Sequence, residues 1–262
     1  MRIGVFDSGL GGLTVLRAVR EVLPGAEYIY LGDTARTPYG SKSRSTVVRY
    51  AKECAGFLWK FEIDLLIVAC NTASSLALEE LRQISPCPVM GTIEPAVRAC
   101  LTKASAGPVG VIGTSATISS CVYQRRLRDI NPTWQVVAKA CPLFVPLVEE
   151  GLFDGEIAER IIEYYLQPLK ERGLAAIILA CTHYPLLAAG ISAFLGPQVE
   201  IIDCAQAIAG EVASLPAVKG KNSQGGSPSL KYFVTDEPGK FNYLAGVLLE
   251  GCRVDAIKVE SL

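Results

Sequence analysis

Short apolar runs rich in Val, Ile and Leu recur along the chain, and between them apolar residues return every three or four positions over longer stretches. The runs predict strands over residues 2–6, 27–31, 65–69, 89–91, 109–112, 136–138, 176–180, 200–202 and 230–234. The longer stretches predict helices over 12–22, 43–60, 73–83, 117–129, 155–169 and 241–250. Several runs are apolar at successive positions, as strands buried on both faces must be. Strand and helix alternate, so the fold class is α/β, with mostly parallel sheets flanked by helices.

The pattern also repeats. Ile3-Gly4-Val5-Phe6-Asp7-Ser8 resembles Val109-Gly110-Val111-Ile112-Gly113-Thr114, and a run ending in Ala-Cys follows each at a comparable interval. These runs are Ile67-Val68-Ala69-Cys70-Asn71-Thr72 and Ile178-Leu179-Ala180-Cys181-Thr182-His183. Two similar lobes are therefore expected, residues 1–95 with 208–262 forming one and 96–207 the other, with the active site in the cleft between them. The segment 216–229, rich in Gly, Ser, Lys and Pro, reads as an exposed loop.

Composition narrows the function. Half of the 262 residues are hydrophobic and 19% are charged, the balance of a globular protein with a sizeable core. A formal net charge of -1 gives no electrostatic footprint for nucleic acid or an anionic membrane, so neither is expected as a partner. No apolar stretch approaches the ~20 residues of a membrane span. The nine cysteines are odd in number, scattered and without C-x-x-C spacing, which indicates neither a disulfide framework nor a zinc ribbon. His183 is the only histidine, which argues against a catalytic zinc, and no metal is expected. Asp7 interrupts the first apolar run before it reaches the length of a signal-peptide core, and with the reduced thiols this predicts a cytoplasmic protein.

Gly9-Leu10-Gly11-Gly12 after the first strand, with Asp33 after the second, invites a dinucleotide-binding reading. Thr14 stands where that fingerprint needs its third glycine, so the reading is incomplete. The free N–H groups of such a turn suit a small carboxylate as well as a phosphate. Asp7 and Ser8 end the first strand, where an acid can accept an ammonium group or a proton, or merely shape a turn. Tyr39-Gly40, after Thr37-Pro38, lies in a loop leaving the second strand. Most cysteines read as small buried hydrophobes, and Cys54, Cys87, Cys100, Cys121, Cys141, Cys204 and Cys252 give no reason for another reading. Cys70 and Cys181 differ, because both end strands on the side where open α/β sheets collect ligands and both precede polar residues and a helical region. A Cys-His hydrolase using His183 is one alternative, though it leaves the second thiol without a task. Two matched thiols suit a symmetric reaction, in which one removes a proton and the other returns one on the opposite face.

Taken together, Gly4-Val5-Phe6-Asp7-Ser8-Gly9-Leu10-Gly11-Gly12-Leu13-Thr14, Pro38-Tyr39-Gly40, Ala69-Cys70-Asn71-Thr72-Ala73-Ser74, Ile112-Gly113-Thr114 with Ala116-Thr117, the stretch from Cys141 to Gly151, and Cys181-Thr182-His183-Tyr184-Pro185 resemble the cofactor-independent glutamate racemases of the aspartate/glutamate racemase superfamily. The segments occur in the family's order, and the tail Tyr232-Phe233-Val234-Thr235-Asp236 is similar too. Ala180, where glycine is common, and Ser75, where alanine is frequent, depart from the pattern without removing a reacting group. The resemblance implies interconversion of L- and D-glutamate without a cofactor, supplying the D-isomer for peptidoglycan. It implies that the thiolate of Cys70 takes the α-proton of D-glutamate and that of Cys181 the α-proton of L-glutamate. Asp7 would assist at Cys70, and His183 with Glu149 near Cys181. The implied substrate contacts are Asp7, Ser8, Pro38, Tyr39, Gly40, Asn71, Thr72, Thr114, Thr117, Thr182 and His183. A racemase for another amino acid such as aspartate, or a non-catalytic regulator such as a DNA gyrase inhibitor, stays open, and so does assembly as a homodimer.

Overall fold

The computed structural model describes residues 1–104, 107–219, 229–249 and 254–262. The chain begins with β1 (Arg2–Asp7), β2 (Glu27–Gly32), β3 (Leu65–Val68) and β4 (Val89–Gly91). It then forms β5 (Val109–Gly113), β6 (Val136–Ala140), β7 (Ala176–Ala180) and β8 (Glu200–Asp203), and ends with β9 (Leu230–Val234) and β10 (Ala256–Lys258). These make a six-stranded sheet in the order β10-β9-β2-β1-β3-β4 and a four-stranded sheet in the order β6-β5-β7-β8. Every strand pairing is parallel. Four strands of the first sheet thus run in the same spatial order as the whole of the second, β1 matching β5 and β3 matching β7, which is the repeat read in the sequence.

Both faces of each sheet are covered. Ile3, Val5, Tyr30 and Ile67 face one core of the first sheet, while Phe6, Leu31, Leu66 and Val68 face the other. In the second sheet Ile112, Ile177 and Leu179 face one way and Val109, Val111 and Ile178 the other. This is why the strand sequences are apolar at consecutive positions, each buried Val, Leu or Ile contributing roughly 1.5–3 kcal/mol through removal from water.

All nine predicted strands form, and β10 adds a tenth that the pattern missed. The helix expected over 117–129 is broken into Ser115–Ser119 and Val122–Ile130, because Cys121 between them adopts a left-handed conformation with φ +56°. Four helices lacked a prediction: Ile93–Lys103, Phe144–Glu149, Ala188–Leu195 and Cys204–Ser214. Within the expected loop at 216–229, Pro216–Lys219 forms a helical turn, and 220–228 lie outside the described residues. Of the cysteines read as core, Cys54, Cys100, Cys141 and Cys204 are buried, whereas Cys87 is half-buried and Cys121 is exposed. Cys252 lies outside the described residues.

The helices Ile93–Lys103 and Cys204–Ser214 carry the chain between the sheets and pack on each other. Ile93, Ala96, Val97 and Cys100 of the former join the core of the second sheet, and Ala205, Ile208, Ala209 and Val212 of the latter join that of the first. The lobe limits expected at 95/96 and 207/208 fall inside these two helices. Among the described residues no helix is long and apolar enough to cross a membrane.

Candidate active site

In each sheet the first strand lies between the second and the third, so the chain departs to opposite sides at the carboxyl ends of β1/β3 and β5/β7. Such switch points open crevices for ligands, and here the two face each other. The cavity between them is lined by Ser8, Thr37, Pro38, Tyr39, Gly40, Cys70, Asn71, Thr72, Thr114, Val145, Cys181, Thr182 and His183, with a volume of about 20 Å³. A larger groove of about 440 Å³ beside Arg82, Glu94 and Arg98 is lined by neither cysteine nor histidine.

On the first sheet, β3 ends at Val68 and Cys70 caps the helix Asn71–Ile84. Its sulfur accepts from the Ala73 N–H at 3.5 Å, and its S–H donates to Ser8 Oγ at 3.5 Å. Burial and the charge of Asp7 push the Cys70 thiol up to about 12, against the opposing pull of those two hydrogen bonds. At neutral pH Cys70 is therefore a thiol. Asp7 is fully buried, its Oδ2 accepting from the Gly9 N–H at 2.9 Å and its Oδ1 from Thr182 Oγ1 at 3.3 Å. Burial raises its carboxyl group, while the charge of His183 and the N–H groups of Gly9 and Gly12 pull it back.

The second thiol has different company. Cys181 follows β7, and His183, two residues on, places Nδ1 at 3.8 Å from Cys181 Sγ. His183 Nε2 lies 3.3 Å from Glu149 Oε1, off the direction of a hydrogen bond. Burial draws the imidazole down, but the contacts with Cys181 and Glu149 and the charges of Cys181 and Asp7 outweigh it and hold His183 up at about 10. At neutral pH it is an imidazolium, the counter-charge that a thiolate at Cys181 needs.

Polar groups close the rest of the cavity across the two sheets. Thr72 Oγ1 lies 2.9 Å from Thr114 Oγ1 and 3.3 Å from Thr117 Oγ1, and those two threonines are 3.0 Å apart. Thr117 belongs to this buried trio but not to the cavity lining. Tyr39 donates through its hydroxyl to Asp33, which also takes Arg36 Nε at 2.7 Å and Thr235 Oγ1 at 2.9 Å. Asp33 is thus occupied in fixing the Tyr39 loop, which leaves the ribose-binding role raised by its position without support. Gly11 has its own reason: a Cβ there would stand 2.4 Å from Thr182 Oγ1 and 2.6 Å from His183 Nδ1. A Cβ on Gly40 would stand 2.4 Å from Thr114 Cβ. Both glycines let the two halves meet.

Sequence reasoning missed three participants. Thr37 and Val145 line the cavity, and Tyr123 donates its hydroxyl to Asn71 Oδ1 at 2.6 Å. Val145 lay within a family-like segment; nothing in the linear pattern singled out Tyr123. Among the described residues no group of three or more His, Cys, Asp or Glu is arranged to hold a metal ion.

Residues 13–212 match the family model for Asp/Glu/Hydantoin racemase. The glutamate racemase of Aquifex aeolicus is 49% identical over 249 residues, covering 95% of this chain and 94% of that protein. The chain belongs to the glutamate racemase family. As a member of that family it is an isomerase. The crystal structure of a glutamate racemase isoform from Bacillus anthracis superposes with a TM-score of 0.94 at 36% identity, covering 98% of this chain and 97% of that one. That of the Francisella tularensis glutamate racemase in complex with D-glutamate gives 0.91 at 35% identity, covering 99% and 97%. The two helix-flanked parallel sheets are the glutamate racemase architecture.

Proposed function

We propose that the chain interconverts L- and D-glutamate by proton transfer between Cys70 and Cys181, and that its product D-glutamate feeds peptidoglycan synthesis. The observation that carries this reading is the pair of thiols at matching strand ends of two matching sheets, lining one cavity. In the direction from L-glutamate, the Cys181 thiolate takes the α-proton and the Cys70 thiol delivers its own to the opposite face of the carbanion. The enzyme is left with Cys181 protonated and Cys70 ionised, the form that accepts D-glutamate. Asp7, Ser8, Tyr39, Asn71, Thr72, Thr114 and Thr182 would hold the substrate, with Pro38 and Gly40 shaping the wall and Thr117 supporting Thr72 and Thr114. His183 with Glu149 compensates charge at Cys181. Donors aimed at the α-carboxylate stabilise the carbanion most effectively in a site closed to water. The reading takes 1–95 with 208–262 as one lobe and 96–207 as the other, so each lobe supplies one thiol, and it places the enzyme in the cytoplasm, where thiols stay reduced.

The test is racemisation of L-glutamate in deuterated water. D-glutamate should form with deuterium at the α-carbon, and Cys70→Ala and Cys181→Ala should each abolish its formation. Full activity in either variant, or product without deuterium, would overturn the two-base reading. Circular dichroism of L-glutamate and L-aspartate incubated separately tests the substrate, and faster loss of the aspartate signal would reassign it.

A further inference from the structure

Asn71 combines two unlike observations. Its side chain is buried in the cavity wall with Oδ1 satisfied by the Tyr123 hydroxyl at 2.6 Å, yet its Nδ2 is buried with no hydrogen-bond partner. Buried amide donors without partners are rare and costly, and in a cavity wall such a donor marks where a ligand acceptor belongs. What decides that the donor end faces the cavity is Tyr123. The two ends of an amide have nearly the same shape, so only the hydrogen-bond network distinguishes them.

That network has one consistent direction. The Tyr123 oxygen lies 3.3 Å from Thr92 Oγ1 and 3.5 Å from Cys204 Sγ. Cys204 spends its proton on Leu179 O at 3.2 Å. Thr92 can then donate to the phenol oxygen, and the phenol proton goes to Asn71 Oδ1. Tyr123 is fully buried on the helix Val122–Ile130, while Asn71 begins the helix Asn71–Ile84 on the opposite sheet. Burial raises the phenol far above its ordinary range, so it stays a donor across the working pH.

We propose that Tyr123 is a positioning residue that locks the Asn71 amide with Nδ2 toward the cavity, as the donor for a carboxylate oxygen of the substrate. The proposal rests on the amino-acid racemase reading given above. Without the phenol, the amide is free to turn and present Oδ1 to that carboxylate.

The experiment compares wild type, Tyr123→Phe, Asn71→Ala and the double variant, by glutamate racemisation and by calorimetric binding of D-glutamate, which needs no turnover. Tyr123→Phe should raise KM and Kd about tenfold while kcat changes less than threefold, and should have no further effect in the Asn71→Ala background. Cys204→Ala removes the phenol's other neighbour without touching the amide and should leave KM unchanged. Asn71→Asp keeps the acceptor for Tyr123 but turns an oxygen to the cavity, so it should lose binding even if Tyr123→Phe proves too unstable to assay. Unchanged KM in Tyr123→Phe, independent effects in the double variant, an equal KM rise in Cys204→Ala, or intact binding by Asn71→Asp would each overturn the proposal. A wild type that binds D-glutamate but racemises nothing would instead overturn the reading beneath it, and the binding comparison would still decide the role of Tyr123.

Discussion

The two thiols are alike in position and unlike in charge environment. Cys70 sits beside Asp7 and is held as a thiol, whereas Cys181 sits beside an imidazolium. In the two-base mechanism proposed above, that asymmetry suits Cys181 to the role of base and Cys70 to that of acid when L-glutamate is the substrate. Enantiomers have equal free energies in water, so any substitution must change kcat/KM equally in both directions, and asymmetry can show only in kcat and KM taken separately. His183→Asn should therefore lower kcat/KM equally for both isomers, on the order of 10²-fold or more, while altering kcat unequally. In the wild type the rate should fall as pH rises past about 10, where the imidazolium is lost, and a pH profile of His183→Asn should lack that limb. Stability follows the same proton. With its pKa lifted from 6.5 to about 10, His183 takes up a proton on folding between those values. Its contribution is full below the lower value and lost as pH rises through the upper one. The melting temperature of the wild type should decline across this window more steeply than that of His183→Asn. Cys70, Cys181 and His183 were legible as candidates because strand-end chemistry is written in adjacent residues. Tyr123 was not, because its partner lies 52 positions away in the chain.

The helix Asn71–Ile84 begins on the thiol proposed as one of the two acid/base groups, since the Cys70 sulfur is its cap. Serine is a preferred cap and a poor base, so Cys70→Ser separates structure from chemistry. It should melt no lower than wild type and lose racemase activity by about 10²–10⁴-fold, measured by calorimetry and circular dichroism. The glycine turn makes the converse case. Gly11→Ala places a methyl group against Thr182 and His183, which follow a strand of the other sheet. It should cost at least tenfold in kcat/KM with a small change in melting temperature, and an active Gly11→Ala would show that the halves need not approach so closely. Element type was readable wherever large apolar residues kept a clear period. The helix Cys204–Ser214 escaped because its buried face is largely Ala and Cys, and Ile93–Lys103 because Pro95 and small residues blur the pattern. The break at Cys121 has no marker in sequence, since left-handed backbone usually falls to glycine.

A cavity of about 20 Å³ is close to the room one water molecule needs, far less than an amino acid occupies. Admitting an amino acid therefore requires the cavity wall to move, by parting of the halves or by displacement of the loop at 37–40. What holds the halves together around the site is polar and local: the threonine trio, Thr182 with Asp7, and Tyr123 with Asn71. Such contacts contribute about 1 kcal/mol each and exchange readily with water, unlike the apolar cores within each half. The cysteines supply a built-in reporter. Cys70, Cys141 and Cys204 are all buried and all pushed up by that burial, so alkylation rates that differ by several orders of magnitude among them report access. Cys121 is exposed and gives the rate of an open thiol. Treatment of the native protein with a small alkylating reagent, followed by peptide mass mapping, should label Cys121 at once and Cys70 and Cys181 more slowly. Cys141 and Cys204 should react only on unfolding, because they are buried and do not line the cavity that Cys70 and Cys181 share. Saturating glutamate should then protect Cys70 and Cys181 and leave Cys121 unchanged. If Cys70 reacts no faster than Cys141 in the free protein, the halves do not part on that timescale, which leaves displacement of the loop at 37–40 as the way in.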